Sequence, residues 1–383
     1  MKQADAVENP DIRHWSIAIF TARESIDTLT GSIEAAVQAC KDVDVTIHVL
    51  VNGNRRLADQ AAQLKTRYTE SGRGSEHRAN RMLEFLVWFV PLGDKAHTWN
   101  EYVHRIWKAS DIAFFIDGYA AVRQNALGAI EKGLHAHPAC LAATGVPTVG
   151  RSASRLRAEM ARSGGIHGNL YAVKGSTMRL LRSKRFRLPL GLYRTDPFLG
   201  AALAFRLDPS KHEWDSKQVY VETNATWDFT PLSAWKPSDI RAQLRRVLRQ
   251  AQGTLENRAV KDHWAVFKRP PEALPRTASA LVIEWLDANR ERGESSFLRH
   301  PLCYLAEKRL HKPRNWDLAN ALPELLASTA EDRRDRNSTG QTSFDRFARQ
   351  AHRVSGPDSP RQLHVYAPGR PDRARAGSQR LAG

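Results

Sequence analysis

Short apolar runs rich in β-forming residues alternate with helix-length segments along most of this chain. Trp15–Thr21, Val45–Val51 and Leu83–Val90 have the length and composition of buried strands, and Ser25–Cys40 repeats apolar residues at helical spacing. Strands that alternate with helices in this way form parallel βαβ units. The alternation therefore predicts an α/β fold with a doubly wound, mostly parallel sheet and flanking helices. The other expected strands are Ile112–Ile116, Cys140–Ala143, Gln218–Thr223 and Ala225–Phe229, and the other expected helices are Leu57–Tyr68, Trp99–Lys108, Val122–His135, Pro237–Gln252, Ala273–Arg292 and Ser296–Arg309.

The C-terminal part of the chain differs in composition from the rest. From about Glu331 the sequence is dominated by Arg, Ser, Gly, Pro and Asp with few apolar residues, so it cannot bury enough surface to order itself. We therefore expect a main α/β domain over residues 1–255, a helical extension over 256–330 and a disordered basic tail over 331–383. The tail could tether the protein to an anionic surface or be a dispensable extension.

Charge and cysteine usage narrow the functional classes. The 383 residues include 58 Lys and Arg against 41 Asp and Glu, which gives a net charge of +17 and permits attraction to nucleic acid, anionic lipid or phosphorylated substrates. Nucleic acid is the least favoured partner because no zinc-finger spacing or RNP-like motif accompanies the charge. The three cysteines show no metal or disulfide spacing and are expected to be buried thiols.

The hydropathy pattern contains no candidate membrane segment. No apolar run reaches the roughly 18 residues that span a bilayer, and the N-terminal residues lack the apolar core of a secretory signal. We therefore expect a cytoplasmic protein, with peripheral contact at the inner membrane face left open by the basic charge.

Polar side chains follow two of the predicted strands at the point where each strand ends. Asn52 follows Val45–Val51, and Asp117 with Gly118 follows Ile112–Ile116; in open α/β sheets, ligands collect at this edge. Asn52 could hydrogen-bond a base or ribose, or belong to an ordinary Asn-Gly turn. Asp117 could hold a divalent cation that bridges a diphosphate, or cap a turn or helix. Lys95, at the start of a predicted helix, could contact phosphate or lie on the helix surface.

Two later segments add candidate acceptor and catalytic groups. His167, Gly168, Asn169 and Tyr171 combine polar groups, a flexible glycine and an aromatic ring, a composition that suits sugar contacts, although a lone histidine is more often structural. Asp196 lies at the start of a small-residue helix. It could cap that helix, or act as a general base if its surroundings tune it for proton transfer.

The order of these segments resembles the family-2 glycosyltransferases of GT-A fold, over about residues 14 to 253. The resemblance is carried by five segments at plausible spacing and by a looser likeness in RAQLRRVLRQAQG to the family's Gln-x-x-Arg-Trp region. The chain departs from the family pattern at Tyr119, which replaces the second acid of Asp-x-Asp, at Thr195, which replaces the acid before the base, and at Arg246, which replaces a tryptophan. The five segments are FTARESIDTLTGSIEAA, VLVNGN with GDKAHTWN, IDGY, GGIHGNLYAV and RTDPFL.

The resemblance implies a glycosyltransferase, of hexosyltransferase class, that moves one sugar from a nucleotide-sugar to an acceptor hydroxyl with inversion, in bacterial glycan or glycolipid synthesis. Residues 1–255 would be the nucleotide-sugar-binding catalytic domain, with Asp196 as base and a divalent cation (Mn or Mg) at Asp117. The acceptor would be a glycan or a lipid-linked molecule, bound by His167, Gly168, Asn169 and Tyr171. The implied donor-binding residues are Thr21, Ala22, Glu24, Asn52, Lys95, Asn100, Asp117, Gly118 and Tyr119.

Two alternatives from other classes stay open. A degenerate transferase fold could bind a nucleotide or polyanion without catalysis, which the substitutions at Tyr119 and Thr195 favour. A nucleic-acid-binding protein would rest on charge alone. Turnover of a nucleotide-sugar distinguishes the first function from both alternatives.

Overall fold

The computed structural model describes residues 13–40, 42–70, 82–150, 153–229, 237–291 and 301–330, with the backbone alone for 69–70 and 237–246. The predicted tail 331–383 and the beginning of the predicted helix Ser296–Arg309 lie outside these ranges. Most of the described residues are built around one large sheet.

The main sheet has eight strands in the order β10-β3-β2-β1-β4-β7-β6-β8. Strands β1, β2, β3, β4, β6 and β8 share one direction, whereas β7 and β10 run antiparallel to their neighbours. A second sheet pairs the two short strands β5 and β9. The predicted α/β class with a doubly wound, mostly parallel sheet is therefore confirmed. The strand bounds are β1 His14–Thr21, β2 Asp44–Asn52, β3 Leu83–Val90, β4 Ile112–Asp117, β5 Ala121–Val122, β6 Ala142–Thr144, β7 Leu170–Lys174, β8 Val219–Val221, β9 Trp227–Asp228 and β10 Glu324–Ser328.

Helices connect the strands and form the C-terminal region. The first of them shows how the local sequence sets its start, because the Ser25 side chain accepts a hydrogen bond from the Thr28 amide and caps the helix. Single-turn 3₁₀ segments lie at Ser216–Gln218, Pro271–Ala273 and Asp317–Asn320, and π-helical turns lie at Tyr102–Ile106 and Asp262–Val266. The α-helices are α1 Ile26–Ala39, α2 Arg55–Gln63, α3 Lys65–Glu70, α4 Lys95–Glu101, α5 Ala126–Ala136, α6 Ala153–Ser163, α7 Gly175–Ser183, α8 Thr195–Ala204, α9 Pro237–Lys261, α10 Ala278–Ala288 and α11 Pro301–Leu310.

Both faces of the sheet are covered, which explains the near-continuous apolar character of its strands. On β1, Ile17 and Ile19 pack into one apolar cluster, while Ala18 and Phe20 pack into the cluster on the opposite face. Alternate side chains of a strand point to opposite faces, so the central strands need apolar residues at every position.

The elements β7, α6 and α7 were not expected from the sequence, and the structure differs from the expected elements in three further places. The predicted helix Leu57–Tyr68 is interrupted at Leu64, so it forms α2 and the shorter α3. The region 256–330, expected to be helical, also contributes edge strand β10, which pairs antiparallel with β3. Helix α9 runs through residue 255 without interruption, so the division between main domain and extension at that residue stays a prediction.

The structure also bears on the cysteines and on segments that could span a membrane. Cys40, Cys140 and Cys303 are buried thiols, as predicted. Among the described residues, no helix has the length and apolar character needed to cross a bilayer.

Three buried histidines predict a pH-dependent stability. Burial is the main cause that lowers the pKa of His48 to about 3 and those of His97 and His263 to about 4, from 6.5. As pH falls below 6.5, the unfolded chain binds protons that the folded chain excludes, so stability is greatest above pH 6.5 and falls toward pH 4. Each excluded proton contributes a slope of about 1.4 kcal/mol per pH unit.

We expect the free energy of unfolding, measured by urea titration, to fall between pH 7 and pH 5 for these reasons. In His48→Gln, the slope of the unfolding free energy against pH should decrease by the contribution of about one proton. The control His135→Gln, at an exposed position, should keep the wild-type slope. An unchanged slope in His48→Gln would contradict the assignment.

Candidate functional site

A cleft of about 1210 Å³ opens at the carboxyl ends of the central parallel strands. The ends of β1, β2 and β4 bring Thr21, Asn52 and Asp117 to its lining, and residues of the loops 164–169 and 191–197 line it as well. The polar residues predicted at strand ends therefore meet in one place, as parallel strands require.

Close backbone approach shapes the end of the cleft at β2. Gly53 has φ +64, and a Cβ there would lie 2.5 Å from Cα of Gly93. Only glycine fits this left-handed position without strain. The Asn-Gly turn after β2 thus allows the segment before α4 to lie directly beside it.

Lys95 and Asp117 form the central ion pair of the cleft. Lys95 begins α4 behind the N-cap Asp94, and its Nζ lies 2.6 Å from Asp117 Oδ1 and 3.7 Å from Asp196 Oδ1. Burial disfavours the charge of Lys95, but the two carboxylates outweigh burial and raise its pKa. For Asp117, burial raises the pKa and Lys95 opposes that rise. The ammonium therefore stays charged between two carboxylates.

Tyr119 occupies the position of the second acid in the Asp-x-Asp comparison. Its hydroxyl lies 3.1 Å from Asp117 Oδ2 and 3.0 Å from Asn169 Oδ1, and it can donate its proton to either oxygen. Burial and the Asp117 carboxylate raise the pKa of Tyr119, so the phenol stays neutral. It links the end of β4 to the loop before β7.

The residues supply only part of a divalent-cation site. Both Asp117 oxygens are in contact with Lys95 or Tyr119, and the described part of the chain has no group of three His, Cys, Asp or Glu arranged to hold a metal. Mg²⁺ sites at phosphates commonly use one or two carboxylates and take their other ligands from phosphate and water. Asp117 fits that pattern as the single protein ligand, provided that Lys95 turns toward the phosphates.

The loop after β1 is fixed by Glu24. Glu24 Oε2 accepts hydrogen bonds from Thr21 Oγ1 at 2.6 Å and from the amides of Ala22 and Arg23. Burial would raise the pKa of Glu24, but these hydrogen bonds outweigh it and lower the pKa. Gly118 packs against Thr21, where a Cβ would approach within 2.7 Å of the threonine Cβ. The ends of β1 and β4 are thus held together.

Asp196 lies beside the Lys95–Asp117 pair, with its Oδ1 3.7 Å from Lys95 Nζ. It lies in the first turn of α8, and its Oδ1 accepts a hydrogen bond from Thr195 Oγ1 at 2.9 Å. The N-cap residue of α8 is Arg194, which makes no side-chain capping bond. Asp196 is therefore inside the helix start rather than at its cap position, and its side chain is 18% exposed.

The loop 167–169 brings candidate acceptor groups beside Asp196. His167, Gly168 and Asn169 line the cleft, and Gly168 lies so close to Asp196 that a Cβ would overlap the carboxylate. The His167 ring packs 4.8 Å from Trp227, and its pKa is lowered by burial. A neutral imidazole can accept or donate a hydrogen bond at this wall.

Three predicted site residues, Gly118, Asn100 and Tyr171, are not among the residues that line the cleft. Asn100, expected to bind the donor, uses its side-chain amide to bind the backbone N–H and C=O of Leu188. Tyr171, expected to bind the acceptor, is buried with its hydroxyl accepting the Trp99 indole N–H and its ring stacked 4.6 Å from Phe115. The side chains of Asn100 and Tyr171 thus hold the core beneath the cleft, and their roles in ligand binding stay predictions.

Two residues that support or line the cleft were not identified from the sequence. Glu256 on α9 is buried and accepts the backbone amides of Tyr193 and Arg194, which fixes the loop before Asp196. Trp214, with 56% of its surface exposed, lines the same cleft. The expected helix Pro237–Gln252 ends before Glu256, so it gave no indication of this contact.

Comparisons with known proteins show similarity of structure but no match in sequence. No protein-family model matches the chain, and no curated protein matches it in sequence. One similar solved structure is the mannosyltransferase PcManGT from Pyrobaculum calidifontis in complex with GDP-Man and Mn²⁺, at 16% identity and TM-score 0.46 over 81% of this chain and 88% of that chain.

Two further structures are similar over much of their length. One is glucosyl-3-phosphoglycerate synthase from Mycobacterium tuberculosis with Mn²⁺, UDP-glucose and phosphoglyceric acid, at 13% identity and TM-score 0.39 over 65% of this chain and 79% of that chain. The other is S. aureus TarS 1–349 with UDP-GlcNAc, at 10% identity and TM-score 0.39 over 78% and 80%. Because the identities are low and all three TM-scores are below 0.5, we infer the function from the cleft itself.

Proposed function

We propose that this protein is a glycosyltransferase that moves one sugar from a nucleotide-sugar donor to an acceptor hydroxyl. The observation that carries the proposal is the meeting of Asp117, Lys95 and Asp196 in one cleft at the carboxyl ends of the parallel strands. A charged group suited to a diphosphate lies beside a carboxylate suited to proton removal, and both line a cleft of about 1210 Å³ that can hold a substrate. A hexosyl donor, inversion, and a role in bacterial glycan or glycolipid synthesis are part of the same proposal.

The donor nucleotide would bind along the ends of β1 and β2. Asn52 offers an amide that can pair with a base or ribose, and the Gly53 turn lets the ligand approach the backbone. Glu24 holds the neighbouring loop in shape through Thr21 and the Ala22 amide. The diphosphate would then lie over Asp117.

Lys95 and Asp117 would stabilise the departing diphosphate. Negative charge accumulates on the leaving group in the transition state, and a fixed ammonium in a shielded cleft is well placed to offset it. Asp117 would hold a divalent cation (Mn or Mg) together with the donor oxygens. When bound, the cation would act as a Lewis acid toward the diphosphate.

Asp196 would take the proton of the acceptor hydroxyl. As that oxygen attacks the anomeric carbon, the new C–O bond forms, the bond to the diphosphate oxygen breaks, and the proton passes to the carboxylate. A single displacement of this kind inverts the anomeric carbon. His167 and Asn169 would orient the acceptor beside the base.

A second candidate is a non-catalytic protein that binds a nucleotide or polyanion. The Lys95–Asp117–Tyr119 contacts favour it, because they occupy both oxygens of Asp117, the acid at the end of β4. Such a protein would bind nucleotide without turnover.

Cytoplasmic location and peripheral contact with anionic membrane are part of the transferase proposal.

A thermal-shift screen with UDP, GDP, CDP and TDP, each with and without manganese, tests the donor assignment. We expect one diphosphate to raise the melting temperature, and the matching nucleotide-sugars to be consumed in a turnover assay. If a nucleotide binds but its nucleotide-sugars are neither transferred to an acceptor nor hydrolysed, the non-catalytic candidate is favoured. No stabilisation by any nucleotide would contradict both.

The contact between Gly168 and Asp196 gives a test of the catalytic geometry. In Gly168→Ala, the new methyl group would overlap the Asp196 carboxylate and turn it away from the acceptor. Because displacement of a catalytic group by about 1 Å can cost a hundredfold, we expect transfer to fall about a hundredfold. The control is Gly128→Ala in α5, where a Cβ meets no atom within 4 Å. Wild-type turnover in a correctly folded Gly168→Ala protein, with the fold checked by circular dichroism, would contradict the role of Asp196.

A further inference from the structure

We propose that the acceptor carries a phosphate group, and that Arg194, Arg249 and Arg314 bind this group beside Asp196. The proposal rests on the transfer function above and names the substrate class of the same cleft. All three arginines line the cleft, and each belongs to or contacts the loop 191–194, which precedes Asp196.

The three guanidinium groups surround the loop 191–194. Arg249 on α9 lies 5.6 Å from the ring centroid of Tyr193. Arg314 approaches Gly191, where a Cβ would lie 3.3 Å from its Nη1, and its guanidinium is 6.0 Å from the Trp316 ring centroid. Arg194 belongs to the loop itself and packs against α9 at Gly253.

Their contacts are aromatic or apolar rather than ionic. Among the described residues, none of the three forms an ion pair with a carboxylate, and the buried Nε of Arg249 has no hydrogen-bond partner. Away from the cleft the pattern differs: Arg55 pairs with Asp59 and Glu324, and Arg123 pairs with Asp228. A guanidinium that rests on an aromatic ring keeps its in-plane N–H donors available, and those donors match phosphate oxygens.

The acids near this loop are already occupied by backbone amides. Glu256 accepts the amides of Tyr193 and Arg194 together with the Gln252 side chain. Asp94 accepts the amides of His97 and Gly191. Burial raises the pKa of Glu256 and of Asp94, and the nearby charges of Arg194 and Arg314, respectively, oppose that rise. These two arginines therefore lie near an acid, but among the described residues none of their N–H groups is bound to a carboxylate, so the donors remain available for a ligand.

The position relative to Asp196 favours the acceptor over the donor. Only Thr195 separates Arg194 from Asp196 in the sequence. Lys95 and Asp117 are already assigned to the donor diphosphate by the proposed function. A phosphate held by the arginines would anchor the acceptor at one end and direct a neighbouring hydroxyl toward Asp196. Anchoring of this kind lowers the entropic cost of reaching the reactive geometry.

The experiment titrates inorganic phosphate into the full-length protein by calorimetry, with and without a saturating concentration of the nucleoside diphosphate that the thermal-shift screen identifies. We expect phosphate to bind when the nucleotide is already bound. In the double variant Arg249→Gln/Arg314→Gln, phosphate affinity should fall at least about tenfold, because charge-assisted hydrogen bonds are lost, while nucleotide affinity should stay within about twofold. The control Arg123→Gln removes one charge from an exposed pair and should leave both affinities unchanged.

Competition between phosphate and nucleotide would overturn the proposal, because it would assign the arginines to the donor diphosphate. A parallel loss of nucleotide affinity in the double variant, or no phosphate binding to the wild-type protein, would overturn it as well. If the double variant does not fold, the competition measured on the wild-type protein still decides between acceptor and donor. Phosphate binding by a protein that binds no nucleoside diphosphate would contradict the proposed transfer function rather than the anion site.

Discussion

We expect Asp196→Asn to lower the rate of sugar transfer by on the order of a hundredfold to ten-thousandfold. Asparagine keeps the shape of aspartate and an oxygen that can accept the hydrogen bond from Thr195, but it cannot take the acceptor proton. General-base catalysis contributes a factor of this size. Nucleotide affinity should stay near the wild-type value because Asp117 and its 2.6 Å contact with Lys95 are unchanged.

The structural alternative predicts a different result for the same variant. An acid in the first turn of a helix contributes about 0.3–1 kcal/mol through the helix dipole, so a purely structural Asp196 would show a small loss of stability and nearly full turnover. Asp27→Asn is the matched control, because Asp27 occupies the first turn of α1 and does not line the cleft. Turnover and melting temperature measured on both variants separate the two roles, and an active Asp196→Asn enzyme would remove the base assignment.

The fold was predictable because burial on both faces marks the strands in the sequence. Leu83–Val90 was predicted with the bounds that the structure shows, since every residue in the run contributes to one face or the other. The antiparallel strands were harder to identify. β7 has five residues and lies within a glycine-containing segment, and β10 is an edge strand whose first two residues are exposed. Neither pattern differs clearly from a loop.

Positions at strand ends were also predictable, whereas long-range partners were not. Asp117 and Asn52 reach the cleft because parallel strands end at one edge. Asn100 and Tyr171 belong to matching segments, yet their partners Leu188 and Trp99 are 88 and 72 residues away in sequence. Only the folded chain shows that these polar atoms are already satisfied.

The same limit applies to Glu256. It is one acid in a helix rich in arginine, and its sequence neighbourhood indicates a solvated surface. Its partners are the amides of Tyr193 and Arg194, more than 60 residues earlier. The support of the loop before Asp196 therefore depends on tertiary packing that no local pattern records.

The second large effect is expected for Asp117→Asn, in the donor half of the cleft. The variant keeps a side chain that can hydrogen-bond Tyr119 but removes the charge that pairs with Lys95 and that would hold the divalent cation. Because a catalytic metal supplies several kcal/mol of charge stabilisation, transfer should fall about a hundredfold or more. The manganese-dependent part of nucleotide affinity should disappear as well.

The same variant is also expected to lose stability, because Asp117 and Lys95 form a partly buried ion pair. The Asp117 side chain is only 14% exposed and lies 2.6 Å from Lys95, so its replacement leaves a partly buried ammonium whose remaining acidic neighbour within 4 Å is Asp196. We therefore expect a measurable loss of melting temperature, which Asp228→Asn, from an exposed pair, should not show. The double variant Asp117→Asn/Lys95→Met should recover stability but not transfer. If wild-type nucleotide affinity is the same with EDTA as with manganese, the metal role of Asp117 is wrong, and Lys95 supplies the positive charge at the diphosphate by itself.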